Sequence, residues 1–268
     1  MDKDIRAYYE VGDEQERLST HGWLEFARTK ELLLRHLPTT PARVLDVGGG
    51  PGAYAAWLAD RGYSVHLVDP VPLHVEQAAE VAQVSGRHFS VAQGDARRLD
   101  EDVGSFDAVL VLGPLYHLVE RADRLKALAE ARRVLVRGGI IAVAAISRFA
   151  SIIDGVAREL LLDPKFRPMV EDALRLGEHR NPARIPRAFT TSFFHRPDEL
   201  SAEVADAGFV VDAVYAIEGP AGWFAPSSPP DERSAEYEML LWVARAVEQE
   251  PSLLGGSAHL LAVGHVLE

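Results

Sequence analysis

The stretch VLDVGGGPGAYAAWLA, Val44 to Ala59, decides the fold. A β-branched run closes on Asp46 and Val47, passes through Gly48, Gly49, Gly50 and Gly52, and enters an alanine-rich helical pattern. Glycines at a strand exit reach positive φ and let a ligand approach the main chain without meeting a Cβ. Pro51 fixes one φ at a helix start, where its missing N–H costs nothing. Gly48-x-Gly50-x-x-Ala53 satisfies a dinucleotide pattern. Asp46 argues against that ligand, because an anion beside the helix N-terminus would oppose a pyrophosphate. A carboxylate at this strand end suits a ligand that carries an ammonium group.

Outward from this turn, short β-branched runs alternate with helical patterns. Strands are expected at residues 43–47, 64–68, 88–92, 106–112 and 139–146, and helices at 53–60, 75–84 and 121–136. In the last helix Leu125, Leu128, Ala129, Arg132 and Leu135 form one largely apolar stripe, and the glycines of RGG, Arg137–Gly139, read as its stop. Such alternation implies a parallel sheet with right-handed crossovers, a doubly wound α/β layer. Residues 148–190 show no convincing strand and read as two helices around LLDPKF, then a Pro/Arg-rich loop. RPDELSAEVADAGF opens a helix at Pro197 and closes it at Gly208, with strands expected at 210–217 and 259–266. One domain is expected over residues 1–268: an N-terminal helical cap at 1–37, a core at 38–147, a helical insertion at 148–195 after strand five, and the rest of the core at 196–268.

Composition narrows the function. A chain of 268 residues with 47% hydrophobic and 25% charged side chains can bury one sizeable core. It has no cysteine, which excludes disulfides, thiolate metal sites and a cysteine nucleophile. The net charge of −12 lacks the basic field that a nucleic-acid binder needs, so nucleic acid is not expected as a partner. No apolar run is long enough for a membrane span, and the N-terminus lacks a secretory h-region, so a cytoplasmic location is expected. Oligomeric state is not legible.

Two further aspartates sharpen the ligand. Asp69 closes the second strand, where a carboxylate can accept from ribose hydroxyls, and Asp95 follows the third, placed to accept from an adenine amino group. The implied ligand has an amino acid, a ribose and an adenine, and no phosphate. These residues resemble the class I S-adenosylmethionine-dependent methyltransferase family. VLDVGGGPG is similar to its first motif, VHLVDP to its second, QGDARRL to its adenine-side motif, FDAVLVLGPLYHL to its fourth, and EARRVLVRGG to the segment before strand five. The resemblance covers about residues 40–145. It implies a mostly parallel, seven-stranded Rossmann-like sheet with an antiparallel last strand, and S-adenosylmethionine as cofactor with S-adenosylhomocysteine as product. Carried over, it sets Gly48 and Gly50 against the methionine portion and ribose, with Asp46 linked to the ammonium through main chain and water. It further sets Asp69 on the ribose diol, Pro70 beside the adenine, Asp95 and the Ala96 N–H on the adenine edge, and Leu112 and Gly113 near the methionine amine and sulfonium. In the N-terminal cap it implies that Tyr9 or Arg17 reaches the methionine carboxylate.

Methyl transfer from a sulfonium needs mainly proximity and alignment, so no conspicuous catalytic constellation is required. His117, in GPLYHL, is the candidate base, or with Tyr116 a wall of the cofactor pocket. His195 and Trp223 are candidates for the acceptor cavity, against readings as an ordinary loop histidine and a packing aromatic. A metal is not expected, since no HExxH motif or paired acids follow strands four and five. The acceptor is read as a small molecule with an oxygen, nitrogen or carbon nucleophile. Two alternatives stay open: a non-methylating reaction such as cyclisation on the same fold, and an NAD(P)-linked oxidoreductase.

Overall fold

The computed structural model describes residues 5, 8, 9, 14–84, 89–182, 185 and 188–267. Seven strands form one sheet in the order β3-β2-β1-β4-β5-β9-β8. They are β1 (Arg43–Val47), β2 (Ser64–Asp69), β3 (Ser90–Gln93), β4 (Phe106–Val111), β5 (Leu135–Ile146), β8 (Val210–Ala216) and β9 (His259–His265). The first five pair in parallel, while β9 runs antiparallel to both β5 and β8. The order reverses between β1 and β4, so the crevice that such sheets use for ligands opens beyond Val47 and Val111. His88, expected at the start of the third strand, lies outside the described residues.

Both faces of the sheet are covered. One side gathers Leu45, Val109, Ile141 and Leu260 under α5 (Arg121–Val134) and α8 (Pro197–Asp206). The other gathers Val44, Leu67, Leu110 and Leu261 under α3 (Ala53–Ala59), α4 (Pro72–Val84) and α2 (Trp23–His36), which follows the short α1 (Glu14–Arg17). Each fully buried leucine of this kind stabilises the fold by about 2 kcal/mol relative to an exposed one. Among the described residues no helix is long and apolar enough to cross a membrane.

Two expectations are corrected in α5 and β5. The buried stripe of α5 is Arg124, Ala127, Leu128, Ala131 and Val134, while Ala129 and Arg132 face solvent. An arginine leads it because the Arg124 guanidinium is satisfied in place: Nε and Nη2 reach Glu203 at 2.8 and 2.7 Å, and Nη1 reaches the carbonyls of Leu118 and Val119. The helix also ends at Val134, before the glycines. These lie within β5, where Phe106 pairs with Leu135 but Ala108 with Ile140, so the extra residues form a bulge that Gly138 permits at φ 73°.

The insertion follows β5 with α6 (Ala150–Ala157) and α7 (Phe166–Leu176). It does contain strand, contrary to expectation: β6 (Glu178–His179) pairs antiparallel with β7 (Ser192–Phe193). Phe166, Met169, Val170 and Ile185 make a small core of its own. A second cluster, Ile146, Ala150, Ala173 and Phe194 with Tyr116 against it, joins the insertion to the sheet edge beside the crevice.

Candidate active site

The loops after β1 and β4 meet almost backbone to backbone. Gly48 holds φ 70°, and a Cβ there would stand 2.6 Å from Pro114 Cδ; one on Gly113 would stand 2.8 Å from the Gly48 carbonyl oxygen. Gly49 is compelled for another reason: its Cβ would fall 2.6 Å from Asp46 Oδ2 and 2.7 Å from Leu67 Cδ1. The loop therefore lies directly on the Asp46 carboxylate. That side chain is fully buried, and neither oxygen has a hydrogen-bond partner among the described residues. Burial, then the neighbouring Asp69 carboxylate, pushes it up to about 7. An orphaned carboxylate under a main chain free of Cβ atoms fits a ligand with an ammonium group above it.

Asp69 ties the ends of β1 and β2 together. Its Oδ2 accepts from Gly50 N–H at 3.0 Å, and its Oδ1 from Val71 N–H at 2.9 Å and His74 Nδ1 at 3.1 Å. Asp95 accepts the Arg97 N–H and Nε on Oδ1 and Arg97 Nη2 on Oδ2, and these bonds hold its carboxyl down at about 2. Two adjoining hollows share Gly48, Pro70 and Pro114 in their walls. The larger, about 370 Å³, also has Asp95, Ala96 and His117 on its walls; the smaller, about 70 Å³, has Tyr9, Gly50, Asp69, His74, Gly113 and Tyr116. A separate hollow of about 320 Å³ lies at the opposite strand ends, around Arg43 and Ser64, where this fold does not place ligands.

His117 and Tyr9 form a bonded pair across the cleft. Thr191 offers only a carbonyl oxygen, 3.3 Å from His117 Nδ1, so Nδ1 carries the hydrogen and Tyr9 O–H donates to Nε2 at 2.6 Å. Burial lowers His117 to about 4, more than the Thr191 carbonyl raises it, and burial raises Tyr9. Both are neutral near pH 7.

Of the residues expected at the site, Gly48, Gly50, Asp69, Pro70, Asp95, Ala96, Gly113, Tyr116, Tyr9 and His117 border the cleft, and Asp46 lies beneath it. Four do not border it. Leu112 is half-buried and packs against the core cluster that holds Leu67 and Tyr54. Arg17 is gripped by its own neighbours, with Nη1 and Nη2 on Glu25 at 2.5 and 3.2 Å and Nε on Glu14 at 2.6 Å. A guanidinium already matched by two carboxylates has no fork left for a third. His195 is fully buried, its Nε2 3.2 Å from Glu203 Oε2, in the cluster that Arg124 organises. Trp223 ends a 3₁₀ turn and donates its Nε1–H to the Gly256 carbonyl at 2.8 Å, remote from the cleft walls.

Glu25, Glu218 and His259 bring their ligand atoms within 4.8 Å of one another, a spacing a metal ion can use. The trio is internally paired. His259 Nδ1 lies 2.5 Å from Glu218, and Arg17 holds Glu25. Burial would lower His259, but Glu25 and Glu218 outweigh it and hold the ring at about 9. A metal would have to displace the Arg17 guanidinium from Glu25 and a proton from His259.

His74, Thr191 and Arg180 also face the cleft and were not expected there. None of the three stands in a motif that the sequence singles out.

The family described as a methyltransferase domain matches residues 44–139. A malonyl-acyl-carrier-protein O-methyltransferase of Geobacter sulfurreducens is 37% identical over 171 residues, 63% of this chain and 56% of that protein. The chain thus spans little more than half the length of this relative. The aklanonic acid methyltransferase DauC of a Streptomyces species is 32% identical over 178 residues, 64% of this chain and 76% of that protein. A solved structure from Pyrococcus horikoshii shares the fold with a TM-score of 0.63 at 18% identity, covering 97% of this chain and 98% of that one. The glycine loop over a buried aspartate, the ordered strand-end carboxylates and these relatives agree: the chain belongs to the class I S-adenosylmethionine-dependent methyltransferase family.

Proposed function

We propose that the chain transfers the methyl group of S-adenosylmethionine to an oxygen, nitrogen or carbon nucleophile of a small-molecule acceptor, without a metal and mainly by alignment. The observation that carries this reading is the buried, unpartnered Asp46 carboxylate under the glycine loop, in one cleft with Asp69. When bound, the cofactor supplies a methyl group already activated on a sulfonium. The main chain of Gly48, Gly50 and Gly113 would cradle its methionine portion, Asp46 would balance the ammonium from below, Asp69 would meet the ribose, and Pro70, Asp95 and Ala96 would frame the adenine. The insertion would line one side of the cleft through Thr191, which meets His117 Nδ1, with Tyr9 on the other nitrogen of that ring. The hollow of about 370 Å³ carries the residues assigned to the adenine, and a compact acceptor is supported instead by the relative whose name gives aklanonic acid as what it methylates.

His117 is not free to take a proton directly, because its Nε2 already receives the Tyr9 hydroxyl. It acts as a positioning residue that holds the Tyr9 oxygen at the acceptor, and a ring lowered to about 4 is a weak base at pH 7. His117→Ala and Tyr9→Phe should therefore each slow label transfer from methyl-labelled S-adenosylmethionine by roughly tenfold, below the range of a tuned general base. The double variant should be no slower than either single one, since the pair acts as a unit. The KM for the cofactor should stay put. Unchanged turnover in both variants leaves the pair as a wall only; product without label turns the reading toward cyclisation.

A further inference from the structure

Asp69 has too few free acceptor sites for a sugar diol. A carboxylate offers about four lone-pair positions. Three are taken within the chain, by the N–H groups of Gly50 and Val71 and by His74 Nδ1. These bonds also set the loop, so they are not readily given up: the Gly50 bond fixes the glycine turn and the Val71 bond starts α4. One acceptor position is left for two hydroxyls.

His74 supplies the second position. Its side chain is 3% exposed and borders the smaller hollow together with Asp69, Gly50 and Gly113. The carboxylate oxygen can only accept, so Nδ1 carries the hydrogen of the bond between them. In the neutral ring Nε2 is then the acceptor, and it has no partner among the described residues. Tyr9 stands edge-on to the ring at 5.1 Å with its hydroxyl committed to His117, so it leaves Nε2 unsatisfied. A buried acceptor of this kind costs free energy unless a ligand meets it.

We infer that a His74–Asp69 pair, and not Asp69 alone, receives the ribose diol, one hydroxyl donating to the open position on Asp69 and the other to His74 Nε2. This rests on the cofactor reading above. The pair makes His74 a residue that selects for an intact ribose, and the bond from Nδ1 to Asp69 fixes the ring for that task.

The test is a cycle between side chain and hydroxyl, read by calorimetry on the full chain. S-adenosylhomocysteine and its 2′-deoxy and 3′-deoxy analogues are titrated into wild type, His74→Asn and His74→Gln. An asparagine amide sits near the Nδ1 position and keeps the Asp69 bond; a glutamine amide reaches the Nε2 position. In wild type each deoxy analogue should bind on the order of tenfold more weakly. In His74→Asn one of those two penalties should vanish and the other persist, with thermal unfolding of the unliganded protein unchanged. His74→Gln should restore the missing penalty. Both penalties persisting undiminished in His74→Asn would overturn the pair while leaving the cofactor reading intact. Failure of wild type to bind S-adenosylhomocysteine at all would instead remove the cofactor reading, and the pair with it.

Discussion

Asp46→Asn should flatten the dependence of stability on pH between about 4 and 7 and weaken S-adenosylhomocysteine roughly thirtyfold at pH 8, the scale for losing a charged partner. The wild-type carboxyl is raised by burial, and then by Asp69, from 3.8 to about 7. The folded chain therefore holds this proton more tightly than the unfolded chain does. Its contribution is complete below about pH 4 and is lost as pH rises through 7. A gap of that size corresponds to something on the order of 4 kcal/mol between the two ends of the range. An ammonium bound above the loop favours the ionised form, so wild-type affinity should rise toward pH 8 with release of a proton on binding. Denaturant titrations at several pH values, with calorimetry in two buffers of different ionisation enthalpy, read both effects. A wild-type affinity as flat as that of the variant would remove Asp46 from the cofactor site.

Arg124→Met should cost about 3–5 kcal/mol, because it strands a buried carboxylate. Arg124 is 2% exposed and binds both oxygens of Glu203, which also faces the buried His195. Burial alone would raise Glu203, but Arg124 and His195 outweigh it and hold it at about 2. The guanidinium also lies 3.6 Å over the Phe193 ring, so the cluster pins β7 of the insertion to α5 and α8. The midpoint of thermal unfolding should fall by roughly 10 °C in a chain of this size. Arg124→Met combined with Glu203→Leu should recover most of the loss, since an apolar pair leaves no buried charge behind. A single variant that unfolds like wild type would show that the cluster contributes nothing net.

The parts of this architecture that obey a period or a fixed offset were legible in the sequence. The strand at Arg43–Val47 and its glycine turn sit where the pattern put them, and the aspartates that follow fall at strand ends. Of the places that escaped, three show why. The stripe of α5 was displaced because apolar character alone ranks Arg124 as surface, while its burial depends on Glu203, 79 positions away. The glycines after that helix were read as a stop and became a strand bulge, since a positive φ serves either end equally. Arg17 and His195 were placed by their chemistry at the cleft, but Glu25 and Glu203 claim them first. Each of these partners stands eight positions from the residue it holds, off the helical spacings, so a sequence shows the residue and hides its partner.

The most direct test of the cofactor site is a calorimetric titration of S-adenosylhomocysteine into wild type and Asp69→Ala, with NAD as the comparison ligand. One site per chain is expected, with a loss of roughly 1–3 kcal/mol of affinity on removing the carboxylate and no heat from NAD. Binding of NAD in that cleft, or S-adenosylhomocysteine affinity indifferent to Asp69→Ala, would contradict it.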